Sequence, residues 1–165
     1  MFCSVLHTLK SPKNVGTIVR THVAYGGGPI VFVGYHRPWD FKKGSHAFSR
    51  KLEKQCELVF LETDDLFFDW CEEKDYSTVA IEISKNAISL PAFSFPKRTA
   101  LIVGNEGAGL SEKFITRCKD VVAIPQYGGV ECLNVGVSCS IAIYEMSRLR
   151  KDVSEVNGGK YVVTS

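Results

Sequence analysis

Several familiar signatures are missing from this 165-residue chain, and each absence removes a class of function. Its six cysteines (Cys3, Cys56, Cys71, Cys118, Cys132 and Cys139) contain no C-x-x-C pair, so a zinc site has no ligands in the usual spacing and no metal is expected. Reduced thiols in a cytosolic core are the default for such a set. No apolar run reaches membrane-spanning length, and no basic flank leads into an apolar stretch near the N-terminus, so the chain reads as cytoplasmic with no membrane association. There is no G-x-x-x-x-G-K-[ST] loop and no G-x-G-x-x-G fingerprint followed by a distal acid, which argues against nucleoside triphosphates and dinucleotides as ligands. A nucleophile elbow is missing too, and with it the signature of a Ser, His and Asp hydrolase. No repeat or low-complexity linker divides the chain. With 45% hydrophobic and 23% charged residues, it describes one domain large enough to bury a real core.

What is present begins with an uneven charge. The net value is only +2, yet residues 1–56 carry nine Lys or Arg against two acids, and residues 57–82 carry one Lys against nine acids. The basic set is Lys10, Lys13, Arg20, Arg37, Lys42, Lys43, Arg50, Lys51 and Lys54. It makes a candidate phosphate-facing surface, with His22, His36 and His46 nearby and Trp39, Phe41 and Phe48 as candidate stacking groups. A solvated basic face is the alternative.

Periodicity alternates between strand and helix from start to finish, which predicts an α/β sheet with helices on both faces. Strands are expected at Phe2 to His7, Ile30 to Val33, Leu58 to Leu61, Thr78 to Ile83, Ala100 to Val103 and Val121 to Ile124. A helix follows Ser11 and Pro12 with Asn14 as its cap and Val15, Ile18, Val19 and Val23 as its apolar stripe, ending at Gly26 to Gly28. An acidic helix is expected over Asp64 to Glu73, and a further one capped by Ser111 with Phe114, Ile115 and Cys118 inward. From Leu133 to Leu149 apolar residues alternate with period two, but the length favours a buried helix.

Two strand ends feed glycine-bearing loops: Gly104 to Leu110 after Val103, and Pro125 to Asn134 after Ile124. Such a pair of loops opens a cleft at the carboxyl edge of a sheet, built largely from backbone. Three clusters carry the chemistry: Asn14, Gly16 and Arg20; Gly104 to Gly109; and Ile124 to Asn134. By local chemistry alone, Asn14 and Asn134 read as helix caps, Glu106 as a loop carboxylate in water and Arg20 as a surface residue. His7 and His22 read as structural or surface groups rather than catalytic bases.

The segments N-V-G-T-I-V-R (14–20), L-I-V-G-N-E-G-A-G-L-S (101–111) and I-P-Q-Y-G-G-V-E-C-L-N-V (124–135) resemble, in order and spacing, the three motifs of the SpoU/TrmH branch of the SPOUT RNA methyltransferases. The resemblance spans nearly the whole chain. It implies a homodimeric α/β fold with a mostly parallel sheet and a C-terminal trefoil knot, with residues 1–150 as a single methyltransferase domain and 151–165 as a tail. It implies S-adenosylmethionine as methyl donor and an RNA ribose 2′-hydroxyl as acceptor, in tRNA ahead of rRNA. By the same resemblance Ile81, Gly104, Ile124, Cys132 and Leu133 line the cofactor pocket, and Glu106 and Asn134 hold its mouth and the first cluster in register. Arg20 takes the place of the family's catalytic arginine, oriented by Asn14, and the motif context reverses the surface reading for Arg20 and Glu106.

A guanidinium is a poor base, so the role expected of Arg20 is to grip a phosphate and stabilise developing alkoxide charge. Two positions depart from the family pattern: relatives usually carry serine where Cys132 and Gly136 stand, and a thiol is a weaker hydrogen-bond partner than a hydroxyl. The N-terminal RNA-binding extension of many relatives has no counterpart in this sequence, which leaves RNA recognition to the dimer's basic surface or to a partner protein. Competing readings are a non-catalytic RNA-binding or scaffolding dimer of the same fold, and a generic nucleotide-binding α/β domain.

Overall fold

A computed structural model describes residues 1–148 of the chain. The expected tail at 151–165 lies outside the described residues, as does Leu149. Seven strands form one sheet: β1 (Phe2–His7), β2 (Ile30–Val33), β3 (Leu58–Leu61), β4 (Ser77–Ile81), β5 (Ile88–Ser89), β6 (Thr99–Val103) and β7 (Asp120–Ala123). Their order is β3-β2-β1-β6-β4-β7-β5 and every pairing is parallel. The helices are α1 (Pro12–Ala24), α2 (Ser45–Ser49), α3 (Asp64–Glu73), α4 (Glu112–Ile115) and α5 (Val135–Arg148). The mostly parallel α/β sheet expected from the sequence is therefore present.

Parallel strands covered on both faces alternate their side chains between two apolar layers. Phe2 and Leu6 of β1 and Leu101 and Val103 of β6 pack on one side, with Val15, Ile18 and Val19 of α1 and Ala142, Ile143 and Met146 of α5. Cys3 and Val5 of β1 and Ala100 and Ile102 of β6 face the other side, against Phe67 and Cys71 of α3 and Phe114 of α4. Because α5 takes 14 residues and buries Cys139, Ala142, Ile143 and Met146, the period-two run resolves as a helix, as its length required.

Three expectations need correction. The cap of α1 is Ser11, whose side chain accepts from the Asn14 N–H, with Pro12 in the first turn. Asn14 lies inside the helix, and its side chain is free for longer-range bonds. Two of the candidate stacking aromatics are interior groups: Phe41 is buried, and Trp39 is half-buried over Phe32 with its Nε1 donating to Ser45 Oγ at 2.9 Å. Of the three only Phe48 is exposed. Finally, β4 spans Ser77–Ile81 rather than reaching Ile83, since the Ile83 N–H turns to the Glu82 side chain.

His22 is buried, with Nδ1 2.8 Å from Ser4 Oγ and Nε2 2.9 Å from the Gly28 carbonyl. Nε2 donates to the Gly28 carbonyl, and burial lowers the ring's pKa against the opposing pull of that carbonyl. It is a structural histidine. Gly16 serves packing: a Cβ there would stand 2.6 Å from Phe48 Cβ and 2.7 Å from the Ser45 carbonyl, so α2 approaches α1 only because the side chain is missing.

Candidate active site

The neighbouring strands β6, β4 and β7 all end at the same edge, and the segments that follow them line one cavity of about 920 Å³. That is the carboxyl edge of the sheet, where parallel α/β folds place ligands. Ile81 through Asn86 come from the end of β4, Val103 through Leu110 from β6, and Ile124, Gln126 and Cys132 through Val135 from β7 and the turn into α5. Of the nine residues singled out in the sequence, Asn14, Ile81, Gly104, Glu106, Ile124, Cys132, Leu133 and Asn134 meet here.

Gly104 begins the tight loop after β6. A Cβ at Gly104 would lie 2.4 Å from the Gly109 carbonyl carbon, so the chain folds back on itself only without one. Reciprocal bonds between Asn105 and Gly109 close the loop (N to O 3.2 and 2.9 Å), and Asn105 Nδ2 ties it to the Thr8 carbonyl at 2.8 Å. Its backbone is held rather than trailing in solvent.

A chain of hydrogen bonds joins the three clusters. The Glu106 carboxylate accepts from the Lys10 N–H (3.0 Å), the Ser11 N–H (2.8 Å) and Asn14 Nδ2 (3.1 Å). Asn14 Oδ1 accepts from Asn134 Nδ2 at 3.1 Å, and Asn134 Oδ1 accepts from the Gly136 and Val137 N–H groups at 3.0 and 3.3 Å. Asn134 is therefore a cap for α5, as its local sequence read, and also the last link of the relay. Partial desolvation of the otherwise exposed Glu106 carboxyl works against its charge, but the main-chain donors of Lys10, Ser11 and Glu106 itself and the Asn14 amide outweigh it and hold the pKa below the ordinary carboxylate value. Asn14 is itself buried, so both ends of its amide are committed, to Glu106 and Asn134 rather than to Arg20.

Arg20 is the residue that does not join. It lies six positions beyond Asn14 on α1, about 9 Å along the axis, exposed, in a separate shallow depression of about 400 Å³ that also involves Thr17, Phe48 and Arg50. Arg20 and Arg50 make no side-chain hydrogen bond or ion pair among the described residues.

The cavity also contains groups that the motifs do not supply. Glu82, Lys85 and Glu112 line it, so with Glu106 the ionisable lining is three carboxylates to one ammonium. Glu82 gave no separate signal, since it falls inside the strand expected over Thr78 to Ile83. Cys132 is exposed on the cavity wall; the other five thiols are buried or half-buried, and all six are free. No group of three or more His, Cys, Asp or Glu placed to hold a metal occurs among the described residues, and no described helix is long and apolar enough to cross a membrane.

A family model described as SpoU rRNA Methylase matches residues 1–144. The chain is 28% identical over 151 residues to the 23S rRNA (guanosine-2′-O-)-methyltransferase RlmB of Coxiella burnetii, covering 89% of this chain and 58% of that protein. It is 29% identical over 150 residues to the tRNA (guanosine(18)-2′-O)-methyltransferase of Aquifex aeolicus, covering 87% of this chain and 67% of that protein. Among solved structures, the AdoMet-bound rRNA methyltransferase from Sinorhizobium meliloti superposes with a TM-score of 0.81 at 25% identity, over 89% of this chain and 56% of that one.

Proposed function

Because the chain belongs to the SpoU rRNA Methylase family, we propose that it is an S-adenosylmethionine-dependent RNA 2′-O-ribose methyltransferase acting on tRNA. The observation that carries this reading is the Glu106–Asn14–Asn134 relay, which locks three separate segments around one cavity at the carboxyl edge of the sheet. The named activities of the Coxiella and Aquifex relatives support the reaction type, and the Aquifex protein, two thirds of whose length the chain spans, supports tRNA as acceptor. Residues 1–150 are taken as one methyltransferase domain.

The lining fits the cofactor. S-Adenosylmethionine carries a sulfonium and an ammonium against one carboxylate, and three acids facing one lysine favour a ligand of net positive charge while opposing a polyphosphate. This electrostatic argument also counts against the generic nucleotide-binding reading. When bound, the cofactor supplies a methyl group on an electron-poor sulfur for attack by a ribose 2′-oxygen.

The protein's own contribution is placement. Ile81, Ile124 and Leu133 give apolar walls, Gly104 lets the main chain come close, and Cys132 stands where relatives use serine. Glu106, Asn14 and Asn134 act by keeping those walls in register. Arg20 grips the phosphate next to the acceptor nucleotide and steadies charge developing on the 2′-oxygen, with Arg50 and the exposed Phe48 beside it as part of the basic RNA-facing surface.

Since Arg20 is exposed and lines a separate depression rather than the cavity of its own chain, we assign it to the cavity of a second copy. Homodimerisation through α1 and α5 is supported by the exposed Tyr25 at the C-terminal cap of α1 and the exposed Val137 and Tyr144 on α5. Family membership implies a trefoil knot in the C-terminal part, where α5 packs against β6 and β4 after β7. Six free thiols fit a cytoplasmic location.

Methyl incorporation into tRNA by the wild type and by Arg20→Ala tests the reading. A loss of about 100-fold or more is expected for the variant, with S-adenosylmethionine affinity retained; full activity in Arg20→Ala would remove its assigned role.

A further inference from the structure

Glu82 is one of two carboxylates of the cavity, with Glu112, that none of the three motif segments provides. It stands one residue past β4, and its N–H continues the β4 to β7 ladder by donating to the Val122 carbonyl at 3.1 Å, so the sheet itself sets its position. Each of its two oxygens accepts one main-chain N–H. Oε2 accepts the Leu110 N–H at 3.0 Å and Oε1 accepts the Ile83 N–H at 3.0 Å. The side chain is half-buried, lines the cavity and makes no ion pair among the described residues.

The contact with the 104–110 loop is close. Gly109 has φ +63°, and a Cβ there would stand 2.6 Å from Glu82 Oε2, so the loop reaches the carboxylate only because that residue is glycine. A carboxylate offers about four acceptor positions. Two are taken by main-chain N–H groups, and the others are left on a group that borders the cavity. An acceptor carboxylate at the carboxyl end of a parallel strand, beside a glycine-bearing loop, is the arrangement by which nucleotide-binding sheets hold ribose hydroxyls.

We propose that Glu82 binds the ribose diol of the cofactor and, through Leu110, ties occupation of the ribose subsite to the set position of the 104–110 loop. The proposal rests on the S-adenosylmethionine reading above. Its chemistry is hydrogen bonding alone: the two hydroxyls donate to the free acceptor positions while the Leu110 and Ile83 N–H groups keep theirs. Glu82 thus joins Ile81 and Gly104 in the cofactor site, and it adds selectivity for a ribonucleoside over a deoxyribonucleoside.

Calorimetry with S-adenosylhomocysteine and with its 2′-deoxy and 3′-deoxy analogues tests this, using the wild type, Glu82→Gln and Glu82→Ala. In the wild type, removal of a gripped hydroxyl should weaken binding about 10-fold or more, as expected for a hydrogen bond to a charged acceptor. In Glu82→Ala that penalty should vanish, so that ribo and deoxy ligands bind alike; Glu82→Gln should keep part of it. Amide exchange at Leu110 should speed up in both variants. If Glu82→Ala weakens all three ligands by one factor and leaves the deoxy penalty intact, the carboxylate only supports the loop and the proposal is wrong. If the wild type binds none of the three, the cofactor reading fails, and the proposal with it.

Discussion

Replacing Asn14 by aspartate changes one NH2 group to an oxygen, yet the relay predicts a large effect. In the native protein Asn14 Nδ2 donates to Glu106 Oε1 at 3.1 Å and its Oδ1 accepts from Asn134. Aspartate keeps the second bond and turns the first into two carboxylate oxygens facing each other. At that separation the repulsion runs from about 1.3 kcal/mol in a water-like dielectric to about 5 kcal/mol at an effective value near 20. Glu106 is exposed while residue 14 is buried, so about 2 kcal/mol is the appropriate share. Loss of the donated bond to a charged group adds about 1–2 kcal/mol. The total of about 3–4 kcal/mol should lower the melting temperature by roughly 6–16 °C for a domain of this size.

The pH dependence separates this from simple loss of packing. In the wild type, Glu106 has a folded pKa below its ordinary 4.5, so its stabilisation is present above that value and is lost as pH falls through the depressed one. In Asn14→Asp the facing pair holds a shared proton more tightly folded than unfolded, so stability should rise as pH is lowered from about 8 to about 5. Denaturant unfolding at the two pH values, with Asn14→Ala as reference, reads both slopes. Equal stability of Asn14→Asp and Asn14→Ala at about pH 8, with no recovery on acidification, would refute the reasoning.

Other outcomes follow from the same geometry. Alkylation by a maleimide should modify Cys132 first, since it is the exposed thiol and burial holds Cys71, Cys118 and Cys139 up to about 12; S-adenosylmethionine should protect it, and equal labelling with and without cofactor would take Cys132 off the pocket wall. Phe114→Ala empties a fully buried site between Phe67, Phe68 and His7 and should cost about 3–5 kcal/mol in equilibrium unfolding. A cost under about 1 kcal/mol would mean that this layer collapses around the gap.

Much of the fold was legible because it is written in local periodicity. Ile30–Val33, Leu58–Leu61 and Asp64–Glu73 are bounded in the sequence as they are in the structure, being apolar runs or stripes flanked by turn residues and caps. Two elements had no such signal. The five-residue α2 is flanked by left-handed residues at Gly44 and Arg50, and β5 is a two-residue strand held by register with β7. Trp39 and Phe41 looked available for stacking because local sequence does not show that Phe32 lies beneath them.

The site divides in the same way. Its glycine loops follow strand ends, so reading the strands located them, whereas Ile81, Ile124 and Leu133 were assigned to the cavity wall by the family resemblance. The role of Asn14 was hidden for a physical reason. Whether an asparagine after Ser and Pro caps a helix or reaches across the fold depends on a partner 92 residues away, Glu106, and on Asn134 at 120. Glu82 likewise looks like the end of a strand until the loop that folds back onto it is in view.

The central claim is that the cavity delivers a methyl group to a ribose 2′-oxygen of RNA. Its most direct test is incubation of the protein with methyl-labelled S-adenosylmethionine and tRNA, followed by alkaline hydrolysis and mass spectrometry of the nucleosides. Label in a 2′-O-methyl nucleoside, at a phosphodiester resistant to alkali, is the predicted result. Label on a base, or no transfer to RNA by a protein that binds the cofactor, would contradict the account.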